Sequence, residues 1–161
     1  MSAVPLFLFL LAAAAGPPEP LLVFVTVPEP RGGARVDYEL VAAQREIEGA
    51  IATRPGLRRV ATRAEADVVV TVLARGMTTS ETGDYVFSGY PPPQVGLTAQ
   101  KWPAIKARVQ AGTASRIVIG EYSGRDDWRR CAEQIAKDVD GWASRRRDRL
   151  LAARAARVTP P

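Results

Sequence analysis

The sequence contains no histidine, which removes the commonest general base, the Ser-His and Cys-His nucleophile pairs, and the usual imidazole ligands of zinc and iron. A single cysteine, Cys131, leaves no partner for a disulfide within the chain, so the fold must rest on its apolar core. Lysine is scarce, at three residues against 19 arginines, so an arginine cluster carries less weight as a motif here than in an average chain. No internal repeat or low-complexity block is present, and neither G-x-G-x-x-G nor G-x-x-x-x-G-K-[ST] occurs. Gly32-Gly33 lies between a strand-like and a helix-like stretch, where phosphate loops sit. Asp37 and Glu39 would put negative charge at the following helix start, so a plain loop is the better reading.

What is present begins with an uninterrupted apolar run of 12 residues, 4–15 (VPLFLFLLAAAA). It is shorter than the roughly 20 residues needed to cross a bilayer as a helix. Ala13 and Ala15 match the A-x-A pattern of a signal-peptidase site, and Gly16-Pro17-Pro18 breaks any helix beyond it. The pattern predicts a signal peptide over 1–16, cleaved after Ala15 or Gly16, and export to the periplasm or the exterior. The segment before the run carries no Lys or Arg, a departure from the usual leader. With no cysteine just after the run there is no lipobox. The remaining 17–161 is the length of one ordinary domain, with no transmembrane segment expected in it.

Periodicity places the elements. Residues 21–27 (LLVFVTV) read as a buried strand closed by Pro28. Asp37 is a candidate N-cap for a helix whose Leu40, Ala43, Ile47, Ala50 and Ile51 share one face, stopped by Pro55-Gly56. A short strand is expected over 57–61 and a central one over 67–74 (DVVVTVLA). Residues 77–101, with Gly83, Gly89, Pro91, Pro92, Pro93 and Gly96, are expected to be irregular apart from a short strand over 85–88. Ile105, Ala107, Val109 and Ala111 alternate with polar residues and turn through Gly112 into a second strand over 116–122, a hairpin. Ser123-x-x-Asp126 has the form of a capping box before a long final helix, where Trp128, Cys131, Ala132, Ile135, Val139 and Trp142 make an apolar stripe. The order predicts an α/β (α+β) two-layer sandwich, with a mixed or antiparallel sheet of about four to five strands and two main helices on one face.

The strand-helix start, the strand after Ala64–Asp67 (AEAD), the hairpin VQAGTASRIVIGEYSG and the closing helix WRRCAEQIAKDVDGW resemble small α/β accessory domains of bacterial envelope proteins. Such domains occur in curli-export and flagellar outer-membrane lipoproteins and at the N-terminus of the Tol system's propeller protein. The resemblance spans most of 17–161 in element order. It implies a two-layer sandwich and a non-catalytic role in the envelope, but the acylated cysteine of the lipoproteins is missing, so membrane attachment does not carry over.

Candidate functional residues are few. Glu81 with Asp84, and Asp126 with Asp127, are the only acid pairs to weigh as a cation site or an acid/base pair, and helix capping accounts for the second. No catalytic, metal or cofactor-binding residue is assigned. Tyr85, Phe87, Tyr90 and Trp102 put aromatic rings in and beside the Pro-rich stretch, where they suit either partner binding or a cover for an open sheet face. Residues 141–157 hold Arg145, Arg146, Arg147, Arg149, Arg154 and Arg157 against Asp148 alone, which leaves the rest of the chain neutral and the net charge of +5 on this segment. Arg145, Arg146 and Arg149 fit either contact with an anionic envelope surface or a solvated helix end. The expectation is a binding or assembly module whose partner is an envelope protein or anionic surface, with no specific nucleic acid. A carboxylate-only hydrolase or other secreted enzyme is the alternative.

Overall fold

Leu21, Val23 and Val25 alternate with Leu22, Phe24 and Thr26 along β1 (Leu21–Thr26), and only the first set is fully buried. That period of two sets the architecture, because a strand buried on one face must pack that face against another layer, here the helices. The computed structural model describes residues 18–29, 37–79, 101–123 and 127–158. After β1 come α1 (Tyr38–Ala52), β2 (Leu57–Arg59), β3 (Val68–Thr79), β4 (Lys101–Ala111), β5 (Ala114–Glu121), α2 (Trp128–Ser144) and α3 (Arg147–Val158). The sheet order is β2-β1-β3-β4-β5, with β1 parallel to β2 and β3, and β4 antiparallel to β3 and β5. This is a mixed two-layer α/β sandwich.

The core lies between the sheet and α1 and α2. Val68, Val70, Val72, Ile105, Ala107 and Val109 meet Ala43, Ile47 and Ile51 of α1 and Cys131, Ile135 and Val139 of α2. Asp37 caps α1, its carboxylate accepting from the Glu39 and Leu40 amides at 2.9 and 3.4 Å. At the β4–β5 turn Gly112 has φ of 58°, the left-handed region that a tight hairpin needs and side chains disfavour.

Four features differ from the sequence reading. The cap of α2 is Asp127, which accepts from the Arg130 amide at 3.1 Å, and not Ser123. The central strand and the first hairpin strand are longer than expected: Met77–Thr79 belong to β3 and Lys101–Pro103 to β4, paired in register across the sheet. The short second strand stops at Arg59. The long final helix is two helices, broken at Arg145 and Arg146, where no Gly or Pro stands. The strand expected over 85–88 lies outside the described residues.

Candidate functional site

Beyond the end of β1, Arg75 of β3 meets the first turns of α1 and α2. A register shift between Val72 and Ala74 changes the alternation of β3 and turns Arg75, opposite buried Ile105, toward the helices. Its guanidinium carbon lies 3.9 Å from the centre of the Trp128 ring, and Nη1 donates to the Glu39 carboxylate. Nε is buried without a hydrogen-bond partner among the described residues. Burial pulls the Arg75 pKa below the ordinary arginine value, and nearby Cys131 opposes that shift. The arginine therefore ties β3 to both helices. The two helix N-termini beside it are already occupied by Asp37 and Asp127.

Cys131 lies in the core, its Sγ donating to the Pro103 carbonyl at 3.2 Å. Burial first, then Asp127, pushes the thiol up to about 11. At neutral pH it is a protonated small hydrophobe and not a thiolate nucleophile.

Trp102 projects from β4 on the face away from the helices, and its indole N–H donates to Glu121 at 3.4 Å. Tyr85, Phe87 and Tyr90, together with Glu81, Asp84 and Asp126, lie outside the described residues. Asp127, the remaining member of the acid pairs, is engaged as a helix cap. Among the described residues no three acidic or cysteine side chains gather as a metal site would require, and no helix is long and apolar enough to cross a membrane.

The arginines of 141–157 separate into two sets. Arg154 and Arg157 turn inward onto Asp67, whose side chain is 0% exposed. Arg154 Nε sits 3.1 Å from both carboxylate oxygens, Arg157 Nη2 is 2.7 Å from Oδ1, and the Leu22 amide donates to Oδ2 at 2.8 Å. Arg154 also reaches the Pro20 carbonyl at 3.0 Å and pairs with Glu19. Arg147 donates to the Gly56 and Glu19 carbonyls. The hydrogen bonds to Asp67 raise the Arg154 pKa further. Arg145 and Arg149 instead stand exposed at the α2–α3 turn, making no ion pair among the described residues. Arg146 folds back over Trp142, 4.3 Å from the ring centre, and donates to the Trp142 carbonyl at 3.0 Å. Ser144 and residues 145–149 line a solvent-open cavity of about 510 Å³.

The sheet face opposite α1 and α2 carries the other candidate surface. Phe24 pairs with Val69, Thr71 with Arg108, and Arg108 with Ile117, and the neighbouring pair Lys106–Ile119 has the same orientation. Phe24, Val69 and Ile119 are half-buried, and Ile117 is 41% exposed on the edge strand β5. Sequence reasoning did not find the Asp67 clasp. Its only sign is an aspartate opening the otherwise apolar run DVVV. Comparison of the chain with protein-family models and with curated protein sequences finds no match.

Proposed function

We propose that this protein is a non-catalytic, exported binding or assembly module of the bacterial cell envelope, working through the sheet face that none of the described helices covers and the adjoining β5 edge. The observation that carries this reading is two sets of apolar side chains left partly in water, Phe24 with Val69 and Ile117 with Ile119, on either side of Lys106 and Arg108 of β4, on the sheet face that none of the described helices covers. A two-layer domain with one apolar-bearing sheet face and an edge strand, β5, whose outer side no other described strand pairs suits docking by a partner, either flat against the face or as an added strand. The apolar leader-like run 4–15 and the resemblance in element order to envelope accessory domains support the location.

The test is site-specific photocrosslinking in intact cells with the probe at Ile117, and at Lys137, an exposed residue of α2, as the control. The reading expects a discrete heteromeric adduct from position 117 that an Ile119→Asp change abolishes. Adducts of equal yield from both positions, or none from position 117, would overturn it.

A further inference from the structure

Strand β5 leaves one side of its backbone open. Hydrogen-bonded pairs alternate along an antiparallel ladder, and the Tyr122 amide, donating to the Pro103 carbonyl at 3.3 Å, sets the phase of the β4–β5 ladder. Ala114, Arg116, Val118 and Gly120 therefore turn their amides and carbonyls to β4, while those of Ser115, Ile117 and Ile119 point off the edge of the sheet. No described strand pairs there. Donors and acceptors set in a row at strand spacing are matched by the backbone of another extended chain, and not by a lipid headgroup or a free anion.

The side chains along this edge change character from one end to the other. Arg108 of β4 and Arg116 of β5 line one solvent-open cavity of about 490 Å³ with Gln110, Thr113, Ser115 and Ile117, beside the turn at Gly112. Among the described residues no carboxylate lines it. Lys106 stands two residues along β4, paired with Ile119 as Arg108 is with Ile117. Lys106, Arg108 and Arg116 have no ion-pair partner among the described residues, and both arginines are exposed. Glu121, at the far end of β5, accepts from Trp102. The edge is thus basic near the turn, apolar at Ile117 and Ile119, and acidic beyond them.

We propose that the β5 edge takes up an extended segment of a partner protein, apolar where it passes Ile117 and Ile119 and acidic where it enters the cavity between Arg108 and Arg116. The proposal rests on the reading of this edge as the docking surface and adds the chemistry of what docks. Open backbone groups select a polypeptide strand, and two guanidinium groups without partners select carboxylates, which their planar forks pair well with. Arg145 and Arg149 at the α2–α3 turn have no strand edge beside them and take no part.

Fluorescence anisotropy with the purified protein and labelled, amidated peptides of eight residues, the length of β5, tests it. Each peptide alternates valine and threonine after two opening residues, which are glutamate in the probe and glutamine in its neutral reference. At low salt the glutamate peptide should bind about ten-fold more tightly, as two exposed ion pairs allow, and salt should shrink the difference. Arg108→Glu with Arg116→Glu should remove that preference, and Arg108→Gln with Arg116→Gln gives a milder variant should the reversal disturb folding. Arg145→Glu with Arg149→Glu makes the same net charge change and should keep the preference. Their turn is held by Arg147 against Gly56, just before β2 on the opposite edge of the sheet, four strand spacings or roughly 19 Å from β5. N-methylation of the backbone amides of the glutamate peptide should abolish binding, because it removes the donors that an added strand needs. No measurable binding of the glutamate peptide, a preference that survives reversal of Arg108 and Arg116, or equal binding of the N-methylated peptide would overturn the proposal. A crosslink from position 117 in cells that persists with Arg108→Glu and Arg116→Glu would overturn it too, while leaving the docking reading in place.

Discussion

Arg154 Nε lies 3.1 Å from both oxygens of the Asp67 carboxylate, joining the last helix to the residue before β3 across 87 positions of sequence. The same carboxylate accepts the Leu22 amide, so β1, β3 and α3 are held at one point. Removing one partner of a buried pair leaves the other charge uncompensated, at a typical cost of 3 to 5 kcal/mol. Arg157 still reaches Oδ1 and softens that loss. Arg154→Ala should therefore destabilise the domain by about 3 kcal/mol in urea unfolding. Arg157→Ala, at a side chain 43% exposed, should cost about 1 kcal/mol or less. Equal effects of the two changes would show that the clasp is not organised around Arg154.

Gly120 marks the closest approach of β5 to α2. A Cβ built there would stand 2.0 Å from the Cys131 carbonyl oxygen and 3.0 Å from Ile135 Cγ1, a clash with helix backbone that no side-chain rotation relieves. Gly120→Ala should push α2 from the sheet and cost about 1 to 3 kcal/mol or more. The accompanying sign is faster labelling of Cys131 by a thiol reagent under native conditions. Ile135→Ala, which removes buried volume without moving the helix, should cost about 2 to 5 kcal/mol and leave the labelling slow until unfolding.

The elements legible in the sequence are those whose local period agrees with their burial. Alternation in 105–111 and the stripe from Trp128 to Trp142 gave the hairpin and α2, and Asp37 announced its helix by side-chain type. Where tertiary contacts decide, local signals are silent. The run SRRRDR carries no breaker, and α3 turns away because Arg147, Arg154 and Arg157 find acceptors on residues distant in sequence. Pro103 argues against a strand, yet β4 includes it, and its carbonyl serves both the Tyr122 amide and the Cys131 thiol. Arg75 faces the helices only because the register shifts beside Leu73, a displacement that no residue type in the run signals. The charge count of 141–157 was correct as arithmetic, but half of those six arginines are spent within the fold.

Export predicts a defined new N-terminus. Mass spectrometry of the native protein should find chains beginning at Gly16 or Pro17, in the periplasmic or extracellular fraction, because Ala13 and Ala15 present the small residues that signal peptidase accepts. Such a chain keeps Glu19 and Pro20 for Arg147 and Arg154, so processing leaves the clasp intact. An intact Met1 chain recovered from the cytoplasm would refute export.

The buried thiol gives a pH dependence whose direction is fixed. Cys131 in the folded protein is pushed up to about 11, whereas an unfolded cysteine titrates near 8.5. Between those values the folded chain keeps a proton that the unfolded chain releases, so the unfolded state is favoured as pH rises. The contribution is fully present below about pH 8 and is lost progressively toward pH 11, on the order of 3 kcal/mol in all. Lysine and tyrosine titrate in the same range, so the comparison must be with Cys131→Ala, which lacks the thiol and keeps every other group. Urea midpoints measured from pH 7.5 to 10 should fall more steeply for the parent protein than for this variant. Parallel slopes would mean that the folded thiol ionises as readily as an exposed one, contrary to its place between Pro103 and the core.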